Sequence, residues 1–198
     1  VHEFYLSYPR PLAFIRGSNL YFLGALGVLG GSKLNFHKLV SEPRMESNES
    51  RLAALKLELP PAPKSIGVYK PVVEINGLLY LSGHGPLHPD GSLTKGRVGA
   101  DLDVAAGYQA ARQTGLAILA TLQKHCGSLD RIARLVKTLG LVYATPEFVD
   151  HPAVINGFSE LMRDVFGEEH GVAARSAVGA VSLPGGMAVE VEAIFEIK

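Results

Sequence analysis

The sequence predicts an α+β layer fold, in which helices cover one face of a mostly antiparallel or mixed sheet. Three observations carry this expectation. Two alternating apolar runs, Arg175 to Ser182 and Met187 to Ile197, lie near the C-terminus. Asn76-Gly77 separates two further short apolar runs, Val72 to Ile75 and Leu78 to Ser82. Between these ends, Asp103 to Cys126 and Ala153 to Phe166 repeat apolar residues at helical intervals.

Residues 1–44 differ in character from the rest of the chain. Pro9 and Pro11 interrupt them, Arg10 and Arg16 precede an apolar run, and Leu20 to Gly31 is laced with glycine. That run falls short of the ~20 apolar residues a membrane helix needs, and its glycines weaken any helix. Basic residues before an apolar stretch suit a secretory signal, but no A-x-A-like cleavage site comes after it. Met45 opens a polar stretch, MESNES, that reads as a cytosolic start. The expectation is an N-terminal extension over 1–44, poorly ordered or not native, and a single domain over 45–198.

Arg51 to Leu59 has helical spacing and runs into Pro60-Pro61-Ala62-Pro63, which stops a helix. Asn76-Gly77 between apolar runs is a strong hairpin signal, because both residues tolerate positive φ. Asp103 is placed to cap the long helix and Gly127 to end it. Ile132 to Ala144 is rich in Val and Leu and reads as a central strand, Pro146 to Pro152 as a loop, and Ala153 to Phe166 as a second amphipathic helix with Asn156 in its first turn.

The two C-terminal runs, joined by Leu183-Pro184-Gly185-Gly186, read as two antiparallel strands and a turn. Successive side chains on a strand face opposite sides. Val189, Val191, Ala193 and Phe195 therefore share the core face, while Glu190, Glu192, Ile194 and Glu196 point away. In such a hairpin Arg175 and Glu190 can meet near one cleft. The plainer reading of Arg175 is an ion pair with Glu190 or Glu192 that ties strands together.

Composition narrows the function classes. The 198 residues are 47% hydrophobic and carry a formal net charge of +0, so there is no global pull toward nucleic acid or anionic lipid. One cysteine, Cys126, excludes an internal disulfide and fits a reducing, cytoplasmic setting. It reads as a small apolar filler at a helix end, with a reactive thiol as the alternative. His84, flanked by Gly83 and Gly85, is open to two readings, a general base or a hydrogen-bonded structural residue. No second histidine or acid stands at ligand spacing, so no metal site is expected. There is no G-x-G-x-x-G after a strand, no phosphate-binding P-loop, no G-x-S-x-G elbow and no H-E-x-x-H.

The combination of Ser65-Ile66-Gly67-Val68-Tyr69, Leu81-Ser82-Gly83-His84, Val154-Ile155-Asn156-Gly157-Phe158, Ala174-Arg175-Ser176, Leu183-Pro184 and Val189-Glu190-Val191-Glu192-Ala193 resembles the reactive intermediate deaminase (Rid) family, also called YjgF or endoribonuclease L-PSP. The likeness runs from about Ser65 to Ile197 and is nearest the slightly longer branch with the ARSAVG signature. It implies a chorismate-mutase-like fold and a homotrimer with ligand clefts between adjacent subunits. It further implies hydrolysis of enamines and imines of the 2-aminoacrylate and 2-iminobutanoate type to 2-keto acids and ammonia, without metal or organic cofactor. Carried over to this chain, it marks Arg175 and Glu190 as catalytic and Tyr69, Ser82, Gly83, Asn156 and Ala177 as substrate-binding. The sequence departs from the archetype at Ala177, where a cysteine is usual, at His84, where glutamine is commoner, and at Lys70-Pro71 after the tyrosine.

The chemistry fits those residues. A planar guanidinium binds the carboxylate of a 2-imino acid in bidentate fashion, a role for Arg175. A carboxylate within hydrogen-bond reach positions and deprotonates the attacking water, a role for Glu190. Two other classes stand beside this one: a non-catalytic trimeric protein that binds a small carboxylate, and a ribonuclease or translation inhibitor. The balanced charge and the lack of interleaved basic and aromatic runs argue against a broad RNA surface.

Overall fold

The computed structural model describes residues 47–198, so the expectations for residues 1–44 lie outside the described part of the chain. The described elements come in the order α1 (Asn48–Ala54), β1 (Val72–Ile75), β2 (Leu78–His84), α2 (Val104–Cys126), β3 (Ile132–Tyr143), α3 (His151–Phe166), α4 (Glu168–Gly171), β4 (Ala174–Ala180) and β5 (Val189–Ile197). All five strands join one mixed sheet in the order β1-β2-β5-β3-β4. Only β3 and β4 pair in parallel. Among the described residues no helix is long and apolar enough to cross a membrane.

Local chemistry sets the element ends. Asn76 and Gly77 take φ of 51° and 77°, as the two-residue turn joining Ile75 to Leu78 requires. The Asp103 side chain accepts from Ala106 N at 2.7 Å and opens α2, and Gly127 closes it in the left-handed conformation at φ 80°. The first helix lies earlier than its apolar spacing suggests. Ser47 caps it by accepting from Ser50 N at 3.1 Å, and Lys56 at φ 52° ends it well before the prolines. Helix α3 likewise begins at His151, because Pro152 fits a first turn where its missing N–H is not needed. That shift moves Asn156 from the expected first turn into the second.

The C-terminal pair corrects the sequence reading more deeply. β4 and β5 do not pair with each other. β3 lies between them, parallel to β4 and antiparallel to β5. The chain leaves β3, crosses over through α3 and returns as β4 at the sheet edge, the helical crossover that parallel neighbours need. The centre of the sheet then falls to β5, with β3 beside it.

The alternation along β5 holds. Val189, Val191, Ala193 and Phe195 are buried against the helices, and each large side chain so buried contributes about 1.5–3 kcal/mol. Cys126, also buried, packs in the same cluster as the expected apolar filler, and burial pushes its thiol pKa up, away from reactivity. The opposite sheet face is bare in the single chain: Val73, Ile75, Tyr80 and Val178 are exposed there.

Close approach of α2 and α3 depends on Gly157. A Cβ at that position would fall on the backbone carbonyl oxygen of Tyr108 and 3.1 Å from the backbone N of Arg112. Because backbone atoms have no rotamer to escape into, the helices themselves must separate. Gly157→Ala is expected to lower unfolding stability by about 1–3 kcal/mol, read as a reduced urea midpoint. An unchanged midpoint would show that the crossing is not sterically limited.

Candidate functional site

Glu190 lies on β5 and faces the side of the sheet away from the helices. Opposite it, β2 slips register: Leu81 pairs with Ala193, but the next partners are His84 and Val191, so three steps on β2 face two on β5. This bulge turns Ser82-Gly83 toward Glu190. The missing side chain of Gly83 is what admits the acid, since a Cβ there would collide with Glu190 Oε1. Glu190, Gly83, Ser82 and Tyr69 line one cavity of about 540 Å³. Ser82 Oγ donates to the Lys70 carbonyl at 2.7 Å, which leaves its lone pairs available to accept. Tyr69 stands half exposed at the rim.

Burial is the main cause that pushes the Glu190 pKa above its ordinary value, and the nearby Glu192 carboxylate pushes it the same way. The Glu190 carboxylate has no hydrogen-bond or ion-pair partner among the described residues. An unpaired carboxylate of raised basicity, open to a cavity, suits a general base.

His84 lines the same cavity yet is only 4% exposed. Its Nδ1 lies 2.7 Å from the Ser82 carbonyl and its Nε2 lies 2.9 Å from Thr121 Oγ1. A carbonyl only accepts, so Nδ1 carries the proton and Nε2 accepts from the threonine hydroxyl. Desolvation lowers the His84 pKa and keeps the ring neutral. Of its two readings the structural one stands: both nitrogens are used, and the ring pins the bulge from the helix side.

Arg175 and Asn156 lie elsewhere. Arg175 pairs with Thr138, whose partner on β5 is Ala193, and both of these are buried on the helix side of the sheet. Its Nη1 donates to Asn156 Oδ1 at 2.8 Å and to Ser159 Oγ at 3.0 Å, both on α3. These residues line a second cavity of about 430 Å³. Burial lowers the Arg175 pKa, a penalty on its charged form that an anion would relieve. The meeting of Arg175 and Glu190 expected of a C-terminal hairpin therefore does not occur within one chain. Nor does the ion pair with Glu190 or Glu192, because β3 intervenes and the side chains leave opposite faces. Ala177 joins neither cavity. It pairs with Gly140 and packs at the margin of the core.

Sequence reasoning misses Ser159, although its spacing of three from Asn156 puts both on one face of α3. It also misses Leu93 and Met187, which line the Glu190 cavity. These two reach it through contacts distant in sequence, the Lys95 to Met187 bridge and the Ala188 N to Thr94 carbonyl bond of 3.1 Å.

Residues 49–185 match the family described as "YjgF/chorismate mutase-like, putative endoribonuclease". Protein TCP17 of Trypanosoma cruzi is 38% identical over 160 residues, covering 81% of this chain and 98% of that protein. A crystal structure from Agrobacterium tumefaciens, of a protein of unknown function, is 40% identical with a TM-score of 0.69 and covers 76% of this chain and 94% of its own. Another, a "putative endoribonuclease" from Shewanella oneidensis, is 32% identical with a TM-score of 0.73 and covers 76% and 99%. The mixed sheet under paired helices, the motif positions and these likenesses agree, and the chain belongs to the YjgF/chorismate mutase-like family, the one its sequence motifs resemble.

Proposed function

We propose that this protein hydrolyses reactive imines and enamines derived from 2-amino acids, of the 2-aminoacrylate and 2-iminobutanoate type, to 2-keto acids and ammonia. Its clefts would be shared between subunits of a homotrimer. The observation that carries this reading is Glu190, a carboxylate of raised basicity, unpaired among the described residues, that faces a cavity beside Ser82 and Tyr69.

The reaction needs two functions. The substrate carboxylate has to be held, and water has to be deprotonated as it attacks the imine carbon. Arg175 Nη1 is committed to Asn156 and Ser159, while its other donors have no side-chain partner among the described residues and can clamp a carboxylate. Glu190 takes a proton from water as oxygen bonds to the imine carbon and returns it to the carbinolamine nitrogen; the C–N bond then breaks as the carbonyl forms, and the hydroxyl proton leaves to solvent or to the departing ammonia. In balance, C=NH2⁺ and H2O give C=O and NH4⁺.

Separation of the two groups within one chain supports a shared cleft. The bare sheet face, with Val73, Ile75, Tyr80 and Val178 exposed, offers the apolar surface that association would bury. A second subunit could then bring the Arg175 of one chain toward the Glu190 of another. The word endoribonuclease in the family description has less support here, because the cavity sets Glu190 against one lysine, Lys64, and offers no basic stripe for a phosphate chain among the described residues.

Because the Glu190 pKa is raised, the folded chain holds this proton to higher pH than the unfolded chain does. Between the unfolded and folded pKa values the native state therefore binds more protons, and stability falls as pH rises through that window. Glu190→Gln abolishes the effect. It is expected to give a higher urea midpoint than the parent at neutral pH and the same midpoint well below the ordinary value of 4.5. Equal midpoints at both pH values would remove the desolvation argument.

Activity is tested by ammonia or keto-acid release from freshly generated 2-aminoacrylate and 2-iminobutanoate. The parent should accelerate release, Arg175→Ala should lose at least about tenfold in kcat/KM, and the parent rate should decline in acid as Glu190 is protonated. A folded parent with no acceleration would move the reading to a protein that binds small carboxylates without turnover. Mixing Arg175→Ala with Glu190→Gln subunits tests the shared cleft. Random reassembly restores both groups in about a quarter of clefts, so activity returns only if the two come from different chains.

A further inference from the structure

We infer that the Glu190 cleft selects imino acids with a bulky apolar side chain, such as those derived from leucine or methionine, over the smallest imines. The inference rests on the deaminase reading and adds the substrate class to it.

Two glycines stand on either side of His84. The His84 ring turns toward Thr121 on α2, so by strand alternation its neighbours Gly83 and Gly85 present their empty sides to the cleft. At Gly83 the space is filled by the Glu190 carboxylate. At Gly85 the nearest atoms are all apolar: a Cβ would collide with Met187 Sδ and lie 3.6 Å from Leu93 Cδ2 and 3.8 Å from Met187 Cε. Two steps of extended chain separate these positions by about 7 Å. A substrate whose reactive carbon sits at Glu190 would therefore lay its side chain along the strand toward Met187 and Leu93, within reach of a leucine or methionine side chain but not of a methyl.

This end of the cleft is built rather than incidental. Leu87 and Leu93 bridge antiparallel to one another, and Gln113 Nε2 donates to the Leu87 carbonyl at 2.5 Å, anchoring the bridge to α2. Met187 is 7% exposed and tied beside the bridge through Lys95. A thioether on an unbranched chain adapts to varied apolar shapes. In the single chain Leu93 and Met187 line the same cavity as Glu190, about 540 Å³ in volume. Each methylene gained in an apolar pocket is worth roughly tenfold or more in discrimination.

The test compares imines generated in situ from leucine and from alanine by an L-amino-acid oxidase, with keto-acid release followed by trapping. The parent is expected to show a kcat/KM at least about tenfold higher for the leucine-derived imine. Leu93→Phe, which fills the apolar end, should lower the leucine-to-alanine ratio by a similar factor. Parity, or a preference for the alanine-derived imine, overturns the substrate class while leaving the deaminase reading intact. If neither imine is hydrolysed, the deaminase reading fails, and titration of the parent with 4-methylpentanoate and with propanoate decides what the cleft takes. Tighter 4-methylpentanoate binding that Leu93→Phe weakens supports the apolar subsite, and equal binding overturns it.

Discussion

Period-two alternation in β5 is the constraint on which the rest of the structure depends. This strand occupies the centre of the sheet, hydrogen-bonded to β2 on one side and β3 on the other. Its inward residues, Val189, Val191, Ala193 and Phe195, join the core under α2 and α3. The intervening residue Glu190 is thereby forced to the other face with no freedom to choose. A core and a chemical group supplied by alternate residues of one strand cannot drift apart, so the rigidity that packing requires also fixes the carboxylate. The β2 bulge completes the arrangement from the neighbouring strand, and the buried His84 to Thr121 bond fastens that bulge to α2.

The crossover has its own consequence for the arginine. Because β3 leads through α3 into β4, the strand bearing Arg175 is delivered to the edge of the sheet and its guanidinium to the helix face. The same α3 that makes the connection also supplies Asn156 and Ser159 to hold it. Thus the arginine is oriented by the element that routes the chain, whereas the acid is oriented by the element that fills the core. Their partition onto opposite faces is a property of topology and not of side-chain conformation, so no rotamer change within one chain unites them.

What the sequence discloses and what it withholds divides along the same line. Asn76-Gly77, Asp103 and Gly127 act on their own backbone within a few residues, and each is legible from local chemistry. The faces of β5 are legible too, because alternation tells which residues share a side. Alternation does not tell which strand lies alongside, and a Pro/Gly link after Ser182 suits a hairpin as well as it suits a return past an intervening strand. The placing of β3 between β4 and β5 depends on pairings some 37 to 65 residues apart, and it separates Arg175 from Glu190. Ser82, Gly83 and Glu190 do come together, since the bulge and β5 carry them as neighbours, and Tyr69 joins them from the segment before β1. Met187 and Leu93 are hidden for the opposite reason, being ordinary apolar residues whose position beside the acid comes from bridges distant in sequence.

The two glycines at the end of β2 show how the absence of a side chain shapes a site. Gly77 is needed for its positive φ, whereas Gly83 and Gly85 are needed for the volume they leave. One vacancy receives a carboxylate and the other a thioether, and the residue between them is tied back into the core by both ring nitrogens. A flat, regular β2 would have spread these three positions along an even ladder and put side-chain bulk between Glu190 and solvent. The β2 bulge therefore sets the polar end of the cavity, whereas the bridges from Lys95 to Met187 and from Leu87 to Leu93 set the apolar end. The backbone thus holds Gly83 and Gly85 at a set distance, while the Met187 thioether at the apolar end adjusts to the shape it meets.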